Sequence, residues 1–398
     1  MSATSVLEQP RHSRAVAHPA VRTASAPVRV LHVINGEDYA GAERVQDHLA
    51  LRLSKEGFEV GFACLKPRRF AEMRQAVDAP LYELPMRSKF DASPVRRLAR
   101  LLRDEGYALV HTHTPRTALV GCLAARLVRL PWVHHVHCQT AVEVGARRWQ
   151  DKANLVLERW TTRRASKIIA VSPSLYRYLL RHGYSRQNLQ LVPNGVPSLQ
   201  LPLTGDQKHP HSGKTAWTIG AIALFRPRKG LETLLDALAL VRQRGFDARL
   251  RAVGRFQSPA YEDEIQRRAA RLGLASAICW AGFRQNVEVE LARMDMLVLP
   301  SLVSEAMPMS ILEAMAAGVP VVGSRVDGIT DLVEDGVDGL LAEPGDAMDL
   351  ANTVQRVITG EVDARELALR AHQKQRELLS DRSMAAAVAE VYWQVLGR

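Results

Sequence analysis

Cysteine is scarce in this chain. Cys64, Cys122, Cys138 and Cys279 are scattered over 398 residues with no CxxC pair. Neither a disulfide framework nor a zinc ribbon is expected, and a reduced cytoplasm fits. Aromatics make up 6 % and are not interleaved with basic residues, which argues against a stacking platform for nucleic acid. No apolar run reaches the roughly 18 residues of a membrane span. The best candidate, Ala118–Val133, is interrupted by Arg126 and Arg129. Residues 1–27 lack the apolar stretch of a signal peptide and read as a disordered tail. There is no tandem repeat, and no GxGxxG follows the first strand, which weakens a nicotinamide or flavin dehydrogenase.

What is present is a long βα alternation. Apolar runs at Val28–Ile34, Phe58–Leu65, Ala108–Thr112, Trp132–His137, Lys167–Val171 and Leu189–Val192 predict strands. Helical spacing fills Ala42–Glu56, Pro94–Asp104, Pro115–Arg129, Arg147–Arg164 and Pro173–His182. The strands are continuous apolar runs, the pattern of a parallel sheet covered on both faces. The alternation stops at a Pro-, Gly- and polar-rich stretch from Gly195 to Thr215, which reads as a linker. It then resumes, with strands at Trp217–Ala223, Ala248–Val253, Ala277–Trp280, Met296–Leu299 and Val319–Val322. Helices are predicted at Gly230–Gln243, Tyr261–Leu272, Met309–Ala317 and Ala347–Thr359. The expected fold class is α/β, with two Rossmann-like domains facing across a cleft. The first spans 28–195, the linker 196–215, the second 216–382, and a final helix 383–398.

The densest chemical signal is Glu305–Val322, EAMPMSILEAMAAGVPVV. A strand ends at Pro300, a loop carries Glu305, and Pro308 precedes a helix. Backbone N–H groups at that helix start suit an anion such as a diphosphate. Glu305 and Glu313, eight residues apart, suit sugar and ribose hydroxyls, because a carboxylate accepts paired hydrogen bonds. A second candidate, Arg226-Pro-Arg-Lys-Gly230, places cations between a strand and a helix. A third is the Gly36–Glu43 loop, where glycine allows backbone to approach a ligand. A fourth is histidine-rich. Alternation puts His111 with His113, and His135 with His137, on shared faces. His111 and His134 suit hydrogen-bonded core positions, while His113 and His137 at strand ends face a ligand edge. A zinc site needs further ligands at helical or loop spacing, and none is evident.

The Glu305–Val322 string resembles the E-x7-E signature of the family 4 retaining glycosyltransferases, which have the GT-B fold. The resemblance covers nearly the whole chain after the tail. Val192-Pro-Asn-Gly-Val196 resembles the family's junction string, Asp295–Ser301 its strand before the signature, and Gly336–Leu341 its following turn. It implies that Glu305 contacts the donor sugar and Glu313 the ribose, while the N–H groups of Met309, Ser310 and Ile311 bind sugar and phosphate. It implies that Lys229 binds the leaving diphosphate. The partner arginine of the family is Leu224 here, and Arg226 is expected to replace it. Gly41 matches a donor-loop glycine, with Ala40 where the family has another glycine. His137, followed by Cys138, resembles the family histidine near the transferred sugar. No cofactor and no metal are expected beyond a UDP- or GDP-sugar co-substrate, and the second domain has no DxD string.

The charge is uneven. Lys and Arg number 53 and Asp and Glu 42, a net of +11. Between Arg96 and Arg186 stand 17 basic and five acidic residues, a net of +12, which leaves −1 for the rest. The basicity therefore belongs to the half that, by the resemblance, binds the acceptor. Arg147–Arg164 carries Trp149 and Trp160 between flanking arginines. It reads either as a solvated basic helix or as a helix lying on an anionic membrane surface. The expected partners are a nucleotide-sugar donor and a sugar or lipid-linked acceptor, not nucleic acid. The expected place is the cytoplasm, on the inner face of the plasma membrane, in envelope or exopolysaccharide synthesis. Rival readings are a sugar phosphorylase or nucleotide-sugar epimerase on the same fold, a basic nucleic-acid binder, and an inactive scaffold.

Overall fold

The structure, a computed structural model, describes residues 26–88, 91–139, 149–199 and 216–397, with the backbone alone for 149–155. Nearly all of the expected tail, most of the expected linker, and Arg147 and Arg148 lie outside the described residues.

The first unit runs β1 (Val28–Ile34), α1 (Gly41–Leu53), β2 (Phe58–Cys64), α2 (Arg69–Met73), β3 (Leu81–Glu83), α3 (Ser93–Asp104), β4 (Leu109–Thr112), α4 (Pro115–Val128), β5 (Trp132–Val136), α5 (Trp149–Thr162), β6 (Lys167–Ala170), α6 (Pro173–Arg181) and β7 (Leu189–Leu191). The second runs β8 (Ala216–Ile222), α7 (Leu231–Gln243), β9 (Asp247–Val253), α8 (Pro259–Arg271), β10 (Ile278–Gly282), α9 (Val287–Leu291), β11 (Met296–Leu299), α10 (Met309–Ala316), β12 (Val321–Ser324), β13 (Leu340–Ala342), α11 (Ala347–Ile358), α12 (Ala364–Leu378) and α13 (Asp381–Leu396). The first sheet has the order β3-β2-β1-β4-β5-β6-β7 and the second β10-β9-β8-β11-β12-β13. Every pairing is parallel. This is the expected pair of doubly wound sheets, the GT-B arrangement.

A recurring local device starts the helices at the carboxyl edges of the strands. Thr114, Ser172 and Ser258 each sit in extended backbone before a proline, and each hydroxyl accepts from the N–H three residues on. The side chain supplies one missing acceptor, and proline occupies the turn where no amide donor is needed.

In both sheets strand order reverses beside the first strand: between β1 and β4, and between β8 and β11. The loops leaving these strands diverge there and open a crevice. Gly41, His113, Arg226, Lys229 and Glu305 all follow these four strands, and His137 ends neighbouring β5.

Five described elements lie outside the expected set: β3, β13, α2, α9 and α12. Both strands are three-residue edge strands, too short for a pattern. The β13 residues overlap the expected turn at Gly336–Leu341. The α2 and α9 helices have five residues each. The α12 helix buries Ala364, Leu367, Ala368, Ala371, His372 and Gln375, a stripe too small and polar to read as a core face.

The last helix follows the second unit in sequence but packs on the first. Its Tyr392 is fully buried, edge-on to Phe58 with ring centroids 5.1 Å apart. The Tyr392 hydroxyl lies 2.9 Å from His32 Nε2 and 2.6 Å from His111 Nδ1. Arg52 of α1 donates to Asp381 at 2.6 Å. The chain passes between the sheets twice, and the two crossings pair. Val196 N–H donates to the Leu379 carbonyl at 3.1 Å, and Asp381 N–H to the Val196 carbonyl at 2.9 Å. Gln375 Nε2 donates to that same carbonyl at 2.9 Å. Gly195 has to be glycine, because a Cβ there would overlap the Ser380 carbonyl. Tyr392→Ala should lower the unfolding free energy by about 3–5 kcal/mol, the cost of an emptied aromatic site, measurable by urea denaturation.

Candidate active site

The Glu305 loop leaves β11 and turns back into α10. Glu305 N–H donates to the Asp327 carbonyl at 2.9 Å. The carboxylate is buried, with 7 % of the residue exposed. It accepts from Lys229 Nζ and Ser301 Oγ, each at 2.7 Å, and from Arg228 Nη2 at 3.3 Å. Burial alone would push the Glu305 carboxyl up; the Lys229 ammonium, then Arg228, overcome this and hold it below 4.5. Burial likewise pulls Lys229 down, and Glu305 opposes the pull.

The cations come from the turn after β8. Pro227–Lys229 forms one 3₁₀ turn, and Gly230 closes it at φ 66. A Cβ on Gly230 would overlap the Pro300 carbonyl, so this close approach is what sets Lys229 beside the end of β11. The structure thus joins Lys229 to Glu305. Arg228 reaches Glu305 too, a contact that the Arg226–Gly230 string does not reveal by spacing alone. Arg226 is half-buried in extended backbone at the start of the turn.

The start of α10 lies across from the start of α1. A Cβ on Gly41 would stand 3.3 Å from Met309 Cγ, so the N-termini of two helices converge from the two units. Ile311 N–H is taken by the Pro308 carbonyl at 3.2 Å. Of the three expected donors, Met309 and Ser310 occupy positions that have no acceptor within a helix. Glu313 is 8 % exposed and pairs with Arg44 of α1. Burial raises its carboxyl, and Arg44 offsets part of that. Glu313, Arg44, His48, Gln285 and Asn286 border a cavity of about 290 Å³ between the units. Glu305 is not among its lining residues.

On the first unit, six histidines line the interior beneath the crevice. His134 Nδ1 lies 2.8 Å from Thr112 Oγ1, and His111 meets Tyr392, so both are the hydrogen-bonded core residues expected. His137 is half-buried, with Nε2 3.1 Å from His113 Nδ1. Burial keeps these rings neutral, with His32 and His137 pulled down to about 3 and His134 to about 4.

Two family models match the chain: Glycosyltransferase Family 4 over residues 39–198, and Glycosyl transferases group 1 over residues 214–360. The chain belongs to the family 4 glycosyltransferases. It is an enzyme of the hexosyltransferase type. It is 28 % identical to the putative glycosyltransferase EpsF of Bacillus subtilis, over 79 % of this chain and 83 % of that one. It is 24 % identical to a UDP-Gal:alpha-D-GlcNAc-diphosphoundecaprenol alpha-1,3-galactosyltransferase of Escherichia coli, over 86 % and 91 %. HepE of Anabaena, in complex with UDP-glucose, superposes with a TM-score of 0.80 at 22 % identity, over 92 % of this chain and 99 % of that one. That likeness shows the shared GT-B fold.

Glu305→Gln should destabilise the protein by about 3 kcal/mol at pH 7, because two buried cations lose their counter-charge. The Glu305 carboxyl titrates below its ordinary 4.5 when folded. Its contribution is therefore complete above about pH 4.5 and lost as pH falls through the folded value. In chemical denaturation the gap between wild type and variant should narrow as pH falls through that folded value.

Proposed function

We propose that this glycosyltransferase moves a sugar from a UDP- or GDP-sugar to a lipid-linked acceptor with retention of anomeric configuration. The observation that carries the reading is the buried Glu305 held between Lys229, Arg228 and Ser301, where α10 begins. Lys229, Arg228, Arg226 and the Met309 and Ser310 N–H groups gather round the donor diphosphate. Glu313 takes the ribose, with the cavity beside it for the rest of the nucleoside, and Glu305 takes the sugar hydroxyls. Gly41 lets the first unit's backbone close over the phosphates, and His137 faces the sugar from that side.

The anomeric bond breaks towards the diphosphate, whose growing negative charge these cations stabilise. The sugar passes through an oxocarbenium-like state, and the acceptor hydroxyl bonds from the face the leaving group vacates, passing its proton to the departing diphosphate oxygen. These cations and a helix start supply the charge, so donor cleavage runs without a metal. Cleft closure excludes water that would hydrolyse the donor.

The lipid-linked acceptor draws support from the galactosyltransferase relative, whose name carries a diphosphoundecaprenol acceptor. It draws more from the first unit's surface. On α5, Val156, Leu157 and Trp160 are exposed at 66, 44 and 52 %, and Arg164 stacks on Trp160 with Cζ 3.5 Å from the ring centroid. On neighbouring α4, Leu123 and Leu127 are exposed at 41 and 60 %. No helix among the described residues is long and apolar enough to cross a membrane. A basic, Trp-bearing surface suits anionic headgroups, and on this reading the enzyme works at the inner leaflet, in envelope or exopolysaccharide synthesis.

Glu305→Ala and Lys229→Ala should each lose at least tenfold in kcat/KM, about 1.4 kcal/mol; full activity in both would refute the assignment. In a thermal-shift panel of UDP-, GDP- and ADP-sugars, the true donor raises Tm by mass action. Trp160→Ser should weaken co-sedimentation with anionic liposomes at low salt and leave transfer to a soluble acceptor unchanged.

A further inference from the structure

Along the sequence no further metal ligand stands at helical or loop spacing from the strand-end histidines. The structure supplies one from the neighbouring strand. In the parallel register His111 lies beside Val133 and Thr112 beside His134, and the next step brings His113 level with His135. His135 and His137 project from one face of β5 and its end. The ring centroids are 4.3 Å apart for His135 and His137, 5.4 Å for His113 and His137, and 5.6 Å for His113 and His135. One ring nitrogen of each lies within 4.8 Å of the other two.

His135 points to a ligand. It is fully buried, and neither of its ring nitrogens has a hydrogen-bond partner. His137 Nδ1 has none either. A core imidazole with two unmet nitrogens is costly to keep. We propose that His113, His135 and His137 form a three-imidazole site for a late first-row divalent cation, Zn²⁺ above all, with its fourth position open to the crevice. Nitrogens bound to one tetrahedral zinc at 2.0–2.1 Å stand about 3.3 Å apart. His113 Nδ1 and His137 Nε2 are already 3.1 Å apart, so closure is a matter of small side-chain rotations. Binding needs the His137 ring proton to move from Nε2 to Nδ1, a change of tautomer that releases no net proton from the neutral rings.

An outer shell is also present. His113 Nε2 lies 3.2 Å from His32 Nδ1, His32 Nε2 2.9 Å from Tyr392 Oη, and Tyr392 Oη 2.6 Å from His111 Nδ1. Read from His113, each group in turn can donate to the next, which leaves the Nδ1 lone pair of His113 aimed into the site. Ligating histidines are oriented by such second bonds. A deeper trio, His32, His111 and His113, is also within metal-binding reach. It is fully buried, and both nitrogens of His32 are engaged, so the outer trio is the better site.

Where His137 faces the transferred sugar, a filled site withdraws it and blocks that side of the crevice. Zinc then acts as an inhibitor; this last consequence rests on the proposed function, while the site itself does not.

Equilibrium dialysis of the full chain against Zn²⁺, with metal quantification, should give one tightly held ion per chain. His135→Ala should lose at least tenfold in affinity, and His111→Gln, whose amide oxygen can still accept from the Tyr392 hydroxyl, should keep it. Co²⁺-loaded wild type should show the visible spectrum of a tetrahedral, nitrogen-ligated ion, a readout that needs no variant to fold. Absence of stoichiometric Zn²⁺ and of that spectrum overturns the site, as does unchanged binding in His135→Ala. Loss in His111→Gln with retention in His135→Ala assigns the ion to the deeper trio and also overturns it. In the transfer assay, Zn²⁺ should inhibit wild type and spare His135→Ala. Binding without inhibition refutes the role of His137 and leaves the site standing.

Discussion

Everything at the crevice depends on two chain crossings that hydrogen-bond to each other. Val196 and the Leu379–Asp381 segment exchange backbone bonds, and Gln375 ties the same carbonyl. The close fit of Gly195 against Ser380 leaves no room to slide. The second crossing leads into α13, whose Tyr392 is locked into the first unit. The first sheet is therefore completed by the last residues of the chain. A relative placement of the two sheets is built into the covalent path, and Gly41 then meets Met309 while Arg44 meets Glu313. Further bonds share the task, such as Ser174 N–H to Asp331 at 2.9 Å.

With that placement set, the two signature glutamates face a common physical problem. Both are buried, and a buried carboxylate needs a counter-charge. The two solutions differ. Glu305 is neutralised within its own unit by Lys229 and Arg228, through a turn that Gly230 makes possible. Glu313 is neutralised across the crevice by Arg44. The first pair is preorganised whatever the units do. The second breaks if they separate, so opening exposes Glu313 to water and closing costs its desolvation again. A ribose hydroxyl pair beside Glu313 would share that cost, which couples nucleotide binding to closure.

The sheets and the helices that start after Ser-Pro or Thr-Pro were legible in the sequence, because parallel strands are continuous apolar runs and capping residues are local. The short edge strands β3 and β13 were not, since three residues carry no period. The polar inner stripe of α12 hid it, because its partners are backbone carbonyls of another segment. Within the candidate site, Glu305 and Glu313 stand out by spacing and Lys229 by the family resemblance. Arg228 does not, because a 3₁₀ turn decides which of two arginines points at the carboxylate. The nearness of His113 to His135 was invisible for a related reason: strand register between β4 and β5 is set by tertiary pairing, not by distance along the chain.

The two faces of the crevice also differ in kind. The second unit presents two cations, Lys229 and Arg228, held on the Glu305 carboxylate. The first presents imidazoles that burial keeps neutral. For a bond that breaks into an anionic diphosphate and a cationic sugar, this asymmetry has the right sign. On the proposed reading the leaving group would meet positive charge, and the sugar would meet donors and lone pairs that do not repel it. Had His113, His135 and His137 been charged, their field would oppose the oxocarbenium-like state from a few ångströms away. A divalent ion held there would restore that opposition. On the proposed reading, the ring neutrality that would favour sugar transfer is the same property that would let these three rings take a metal.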